Sequence, residues 1–416
     1  MQDKKKDNSL LILTQYFPPE VGAPQNRLFE LALRLKDKGL DITVLTAMPN
    51  YPQMVIHPLY RGKFTCKEDM QGMHIIRSWI YVKNSKSIVP RLLNYFSFVF
   101  SSLIIGLFKV RKQDFLFVES PPLFLGITAY LLSRAKRAKM IFNVSDLWPE
   151  SAEKLDIIHN RTLLRLATHL EEFCYRKAFL ISGQTQGICR NIQNRFLQKR
   201  VFWLKNGVDI NYYNIAKINT QQAQARRQEF GFVPEDFVLF YGGIIGHAQG
   251  LEVILKAAAL LKDKQNIKFL LLGSGPEKER LFAMKAELGL DNVIFHDAVP
   301  KKDMLQIIAC VDCAIVPLRR LDLFKGAIPS KIFENLAMQK PILLGVEGEA
   351  KELFIEQGHC GLFFTPEDST ELSKQIIILY NNPQEAKQMG ANGFNYAKEN
   401  FNRDNIAQEF YNTLIK

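Results

Sequence analysis

The stretch "KGAIPSKIFENLAMQKPIL", residues 325–343, sets Gly, Pro, Ser and Lys before a short apolar-periodic run with one Glu in its first turn. A helix beginning there offers unpaired backbone N–H groups, a positive dipole end and the Lys331 ammonium, a combination that suits phosphate. Glu334 is then free to serve hydroxyl groups. The same residues also read as an ordinary loop-to-helix junction, with Ser330 as N-cap and Glu334 as a dipole partner. Two more stretches, "YGGIIG" with Gly243 and "LLGSGP" with Gly273 and Gly275, place glycines after apolar runs. They mark a binding rim or simply the ends of strands.

The elements that must position these residues form two series. In the first, "LLILT" reads as a buried strand, "PQNRLFELALRLKDKG" as a helix ended by Gly39, and "DITVLT", "DFLFVES" and "KMIFNVSD" as further strands. The second runs through "DFVLFYGG", "IKFLLLGSG", "NVIFHD", "DCAIVPL", "PILLG" and "GLFF", with helical segments between. Strand-helix alternation implies parallel sheets covered by helices, so the fold class is α/β with two Rossmann-like domains in tandem. The alternation lapses near "VFWLKNGVDINYYN", where Asn206-Gly207 signals a turn. The expected domains are residues 1–205, residues 206–398, and a C-terminal helix over 399–416 returning to the first. Doubly wound domains bind ligands beyond the carboxyl ends of their strands, and two facing domains predict a cleft.

Composition removes several classes. The 416 residues suffice for two or three domains, and 54 basic against 42 acidic residues, a net +12, favour anionic partners. The six cysteines are dispersed, as in a reducing compartment. Cys310 and Cys313 form a CxxC inside an apolar segment and read as buried fillers, with no second Cys or His pair for a metal. His57, His74, His159, His169 and His359 read as structural or surface residues. G-x-G-x-x-G is missing after the first strand, which counts against a nicotinamide enzyme, and no phosphate-loop lysine motif is present. The opening "MQDKKKDNSL" has no apolar core, so no secretory signal is expected.

Taken together, "QYFPPEVGAPQNRLFELALRLKDKGLDITVLTAMPNYP", "SDLWPES", "KNGVD", "LLGSGPEKERL" and "IPSKIFENLAMQKPIL" resemble the retaining GT-B glycosyltransferases of family 4. The likeness is to the branch that builds O-antigen, capsule and exopolysaccharide chains, including the N-acetyl-L-fucosamine transferase type. The resemblance implies a UDP-sugar donor, a HexNAc or 6-deoxy-HexNAc, and a polyprenyl-diphosphate-linked saccharide acceptor. No other cofactor is expected, and no metal, because no acidic DxD-type pair stands at a strand end to hold one. By position, Glu334 takes the ribose hydroxyls, and Ser330 and Lys331 meet the diphosphate. Val299 in "HDAVP" pairs with the base, and Gly243, Gly273 and Gly275 line the donor site. Gly22 approaches the donor phosphate, and Asp146 orients acceptor hydroxyl or donor sugar. The chain also departs from the pattern. Gly326 stands where the family's first Glu is expected, Gly243 and Gln249 replace an Arg and a Lys, and the usual His before the central Asp is absent. Arg319, Arg320, Lys325 and Lys331 are candidates to restore the charge that a leaving diphosphate demands. An epimerase of the same fold and a non-catalytic sugar-nucleotide-binding subunit are the alternatives.

Residues 92–108, "LLNYFSFVFSSLIIGLF", carry no charge, and "PPLFLGITAYLLS" is followed at once by "RAKRAK". The first run falls short of the about 20 apolar residues of a confident span. Ten cations lie between Lys83 and Lys139 against Asp114 and Glu119, most of the chain's positive excess. Apolar helices rimmed by Lys and Arg predict a peripheral attachment to an anionic membrane, at its cytoplasmic face. The expected contacts are Arg91, Phe98, Lys109, Arg111, Arg134, Lys136 and Arg137. Buried core helices with solvated cationic ends are the competing reading, and no nucleic-acid module is seen.

Overall fold

The computed structural model describes residues 8–20, 22–51, 53–85, 88–154 and 160–416. Lys86 and His159 lie outside the described residues, as does the Arg91 side chain. The chain divides into two units, residues 1–206 with 404–416 and residues 207–403.

In the first unit the apolar runs become strands β1 (Ser9–Leu13), β2 (Asp41–Ala47), β3 (Thr65–Met70), β4 (Met73–Ser78), β5 (Phe115–Ser120), β6 (Lys139–Val144), β7 (Leu180–Gly183) and β8 (Val201–Trp203). They form one sheet in the order β3-β4-β2-β1-β5-β6-β7-β8, parallel except for β3. Alternate residues point to opposite faces, and both faces are apolar. Leu11, Leu13 and Leu45 pack under Phe98 and Ile105 of helix α2 (Ile88–Lys109) and Leu132 of α3 (Leu125–Lys136). Leu10, Ile12 and Val44 pack under Leu28, Leu31 and Leu35 of α1 (Ala23–Asp37) and under the terminal helix Arg403–Ile415.

The hairpin β3–β4 and the short β7 and β8 are additions to the sequence reading. β3 is a polar edge strand, a composition that blunts edge pairing and gives no hydrophobic period. Its turn uses Gln71 and Gly72, both at positive φ (53° and 77°), as a two-residue hairpin requires.

The second unit holds β9 (Phe237–Gly242), β10 (Ile267–Leu272), β11 (Val293–His296), β12 (Cys313–Pro317), β13 (Ile342–Gly345) and β14 (Gly361–Phe363), parallel throughout in the order β11-β10-β9-β12-β13-β14. Cys310 and Cys313 are buried in it as free thiols, and burial pushes the Cys310 thiol up to about 11. The strand order reverses between β1 and β5 in the first sheet and between β9 and β12 in the second, the places where doubly wound sheets leave room for ligands.

The terminal helix is integral to the first unit. Phe410 is fully buried, with ring centroids 6.0 Å from Phe117 and 5.6 Å from Phe202, and Arg34 bonds Asp404 at 2.6 Å. Phe410→Ala should therefore destabilise this unit by about 3–5 kcal/mol. Urea unfolding followed by tryptophan fluorescence checks it, because Trp79, Trp148 and Trp203 are the chain's three tryptophans and all lie in this unit.

Candidate functional site

In the second unit the loops leaving β9 and β10 are stitched together by backbone hydrogen bonds, with the His247–Glu277 side-chain pair at 3.2 Å beside them. Gly243 N donates to Leu272 O at 2.9 Å, Ile245 N to Ser274 O at 2.8 Å, and Glu277 N to Ile245 O at 3.1 Å. The approach is too close for side chains: a Cβ at Gly273 would collide with the Gly243 carbonyl, and one at Gly275 with that of Ile245. Both glycines sit at φ +154°. Their residue type is thus set by this contact, whatever ligand the rim meets.

Lys331, the first residue of the short helix Lys331–Ala337, extends its ammonium over the Tyr241 ring, 3.7 Å from the centroid. An ideal Cβ at Gly243 would lie 3.1 Å from the same Nζ. The place beside residue 243 is therefore filled by a cation arriving from residue 331. Although the residue as a whole is half-buried, removal of the ammonium from water pushes its pKa down to about 7, with Glu334 pulling the other way. Ser330 precedes the helix in helical conformation and makes no side-chain cap bond.

Glu334, one turn along, receives the phenol of Tyr213, and burial followed by this carboxylate raises the Tyr213 pKa. Tyr213 is 2% exposed, so the bond fixes the carboxylate from a rigid side. Only the "NYYN" after the turn hinted at this tyrosine, and nothing in the sequence linked it to residue 334. Val299 is half-buried in the loop after β11. Nothing lies within 4 Å of a Cβ built on Gly326, so no steric demand excludes a side chain there.

Two expected phosphate cations are directed elsewhere. Arg319 donates to the His247 carbonyl at 2.7 Å and to Glu252 at 3.2 Å, which braces the loop after β9. Lys325 is exposed and pairs with Asp322 at 2.7 Å, which raises its pKa. Arg320 pairs with Glu347 at 3.3 Å, and of the four cations Lys331 is the one whose charged group lies beside Tyr241 and Gly243.

The first unit collects polar side chains at the carboxyl edge of its sheet. Arg27 bonds Glu119 at 2.7 Å and Ser145 at 3.0 Å, and Asn143 bonds Glu119 at 2.9 Å, all beside the β1/β5 reversal. Asp146 lies just beyond β6, exposed, accepting from Ser151 at 2.5 Å. Gly22 caps α1 in extended backbone, φ 179°, and a Cβ there would meet only the flexible end of Gln25. Its glycine is therefore not a conformational necessity. Glu20, 4% exposed, accepts from the amides of Asn50 (2.8 Å), Tyr51 (2.9 Å) and Phe17 (3.2 Å). Burial raises its pKa against these bonds.

Helix α2 is long and apolar enough to span a bilayer, and a third of its Leu92–Lys109 stretch is buried inside the unit. Phe98 is one of the buried residues, which corrects its assignment to the lipid-facing set. The outward stripe is Val89, Leu92, Leu93, Phe96, Phe100, Leu107 and Phe108, the last 82% exposed. Lys109, Arg111, Arg134 and Arg137 are exposed, while Lys136 donates to the Leu107 carbonyl at 2.7 Å.

Two α/β units with parallel sheets, the second bearing a cation and a fixed carboxylate next to its strand-order reversal, make up the GT-B fold of glycosyltransferases. Residues 22–207 match the Glycosyl transferase 4-like domain, and residues 221–396 match Glycosyl transferases group 1. The chain belongs to this glycosyltransferase family. The colanic acid biosynthesis protein named WcaI in Escherichia coli (strain K12) is 24% identical over 97% of this chain and 99% of its own. Among solved structures, Anabaena HepE in complex with UDP and glucose is 19% identical with a TM-score of 0.71, covering 98% of this chain and 99% of that one. Sucrose-phosphate synthase from Thermosynechococcus elongatus is 15% identical with a TM-score of 0.75, at 98% and 99% coverage.

A lysine whose pKa falls on folding leaves the unfolded chain holding more protons between the folded and unfolded values. Its cost is full below pH 7 and fades as pH rises from about 7 toward about 10.4, the unperturbed lysine value. Lys331→Met should thus exceed wild type in stability most at pH 6, with the difference shrinking by pH 10. Urea midpoints of the two proteins across this range measure it.

Proposed function

We propose that this chain transfers a sugar from a UDP-sugar to a polyprenyl-diphosphate-linked saccharide in the synthesis of a bacterial cell-surface polysaccharide. The observation that carries the reading is Lys331 lodged between Tyr241 and Gly243, one turn from Glu334 with its Tyr213 brace. A carboxylate accepting two hydroxyls suits a ribose diol, and a cation drawn from water gains most from a diphosphate. The UDP and glucose bound in the HepE structure support a uridine nucleotide, and the relative named for colanic acid synthesis supports a surface polysaccharide. The transferred sugar is a HexNAc or 6-deoxy-HexNAc, as the family likeness implies.

Lys331 stabilises the charge that develops on the leaving diphosphate, the task a metal performs in other transferases, so transfer proceeds without a protein-held metal. Attack is on the face the diphosphate leaves, with retention, the departing phosphate taking the acceptor proton. Asp146 orients the acceptor hydroxyl. The exposed stripe of α2 with Lys109, Arg111, Arg134 and Arg137 beside it attaches the enzyme to the cytoplasmic face of the membrane.

Glu334→Ala should weaken UDP binding by about 1.5–3 kcal/mol, the worth of hydrogen bonds to a charged group, and calorimetric titration with UDP reads it. Unchanged affinity in the folded variant removes the ribose role. Because each exposed cation adds about 1 kcal/mol near an anionic surface, the combined Lys109, Arg111, Arg134 and Arg137 to Gln variant should leave anionic vesicles at lower salt than wild type. Wild-type protein that ignores such vesicles at low salt removes the membrane face. Incubation of the chain with radiolabelled UDP-N-acetylglucosamine and bacterial lipid extract, with and without chelator, tests transfer itself.

A further inference from the structure

A pocket of about 350 Å³ opens at the carboxyl edge of the first sheet, lined by Met48, Ile56, Tyr60, Arg61, Gly62, Lys63, Phe64 and Trp79, with neither Gly22 nor Asp146 in its lining. Its size lies at the lower end of small-ligand sites, roughly 300–1,000 Å³. Trp79 is 41% and Phe64 51% exposed, so the pocket keeps aromatic faces open to solvent that a packing role would have covered. Its lining cations are Arg61 and Lys63, and among the described residues no acidic one lines it.

The walls are rigid. Arg77, fully buried, lies over the Tyr60 ring at 5.2 Å, bonds Glu68 at 2.8 Å and holds the Pro18 carbonyl at 2.6 Å. Trp79 N donates to Phe64 O at 2.9 Å, and the Trp79 carbonyl accepts from Ser101 of α2. One wall is therefore tied to the helix that carries the outward stripe of apolar side chains.

We infer that this pocket binds the first sugar and the phosphate of the lipid-linked acceptor, a glycosyl phosphate ester, with the pyranose stacked on Trp79 and Phe64 and the phosphate met by Arg61 and Lys63. The inference rests on the acceptor proposed above and specifies where it docks. Aromatic faces suit the apolar face of a sugar ring and the two cations suit a phosphoryl group, while the Ser101 bond to the Trp79 carbonyl joins the pocket wall to the helix that carries the outward stripe.

The test is tryptophan fluorescence of the full-length protein titrated with N-acetylglucosamine 1-phosphate, with farnesyl phosphate as the lipid arm and UDP as the donor control. Saturable quenching by the sugar phosphate is expected in wild type and should vanish in Trp79→Phe. Affinity should fall at least tenfold in Arg61→Gln/Lys63→Gln, with UDP affinity unchanged. No saturable change, or a change indifferent to Arg61 and Lys63, overturns the assignment. So does farnesyl phosphate binding that depends on Arg61 and Lys63 where the sugar phosphate fails to bind. Transfer by wild type into lipid extract is scored separately. If transfer occurs and the acceptor KM is unmoved in the double variant, the pocket fails while the enzymatic reading stands. If sugar phosphate binds as expected but no lipid is labelled, the enzymatic reading fails instead.

Discussion

A parallel strand releases its chain at the carboxyl edge of the sheet, and the amides that follow lose their ladder partners. Each loop that can touch a ligand must therefore find its hydrogen bonds elsewhere, and the way it does so decides what the loop can offer. The first unit answers with two buried side chains of opposite charge. Glu20 gathers the amides of Phe17, Asn50 and Tyr51, and Arg77 takes the carbonyls of Pro18 and Ala47. The loops after β1 and β2 thereby become one body, and the side chains they carry are free to vary without loosening it.

The second unit answers with backbone on backbone. The loops after β9 and β10 bond each other directly, a solution that requires Gly273 and Gly275 and leaves Gly243 without a side chain to offer charge. Positive charge has to be imported. Lys331 supplies it from a different segment, reaching the spot that the bare Gly243 leaves open, and Tyr241 receives it as a π face. An ammonium held against a ring and away from water is poorly satisfied until an anion arrives. The same desolvation that lowers its pKa strengthens its attraction for a phosphate.

These arrangements were unequally legible in the sequence. The buried strands of the second unit were, because runs such as "DFVLFYGG" and "IKFLLLGSG" are apolar on both faces and end in glycine. β3 was not, since its alternation is polar. Lys331 and Glu334 stood out through local spacing. Tyr213 did not, because its partner lies 121 residues on and pairing across such a distance leaves no local signature. Arg319 misled for the complementary reason: residue type marks a cation, but only the fold reveals that Glu252 and the His247 carbonyl already hold it.

Helix α2 shows why hydrophobic content alone could not distinguish a membrane helix from a core helix. Its inner face is apolar where it meets the sheet, with Phe98 and Ile105, and polar where it meets strand ends. Asn94 bonds the Tyr81 carbonyl at 2.7 Å, Gln15 bonds Asn94 at 2.8 Å, and Ser101 holds the Trp79 carbonyl. Withdrawing the helix into a bilayer would strand each of those groups without a partner, at about 1–3 kcal/mol apiece. Its outer stripe is held more lightly, by the Phe96–Phe124 ring contact at 4.7 Å and the Lys136 bond to the Leu107 carbonyl. A helix anchored by its polar inner residues and apolar on its outer side leaves one face for any apolar partner, and the backbone that it anchors, residues 79–81, is the backbone that carries Trp79. Any force that seats the outer stripe in a membrane is thus borne by the same segment that forms the wall of the aromatic pocket.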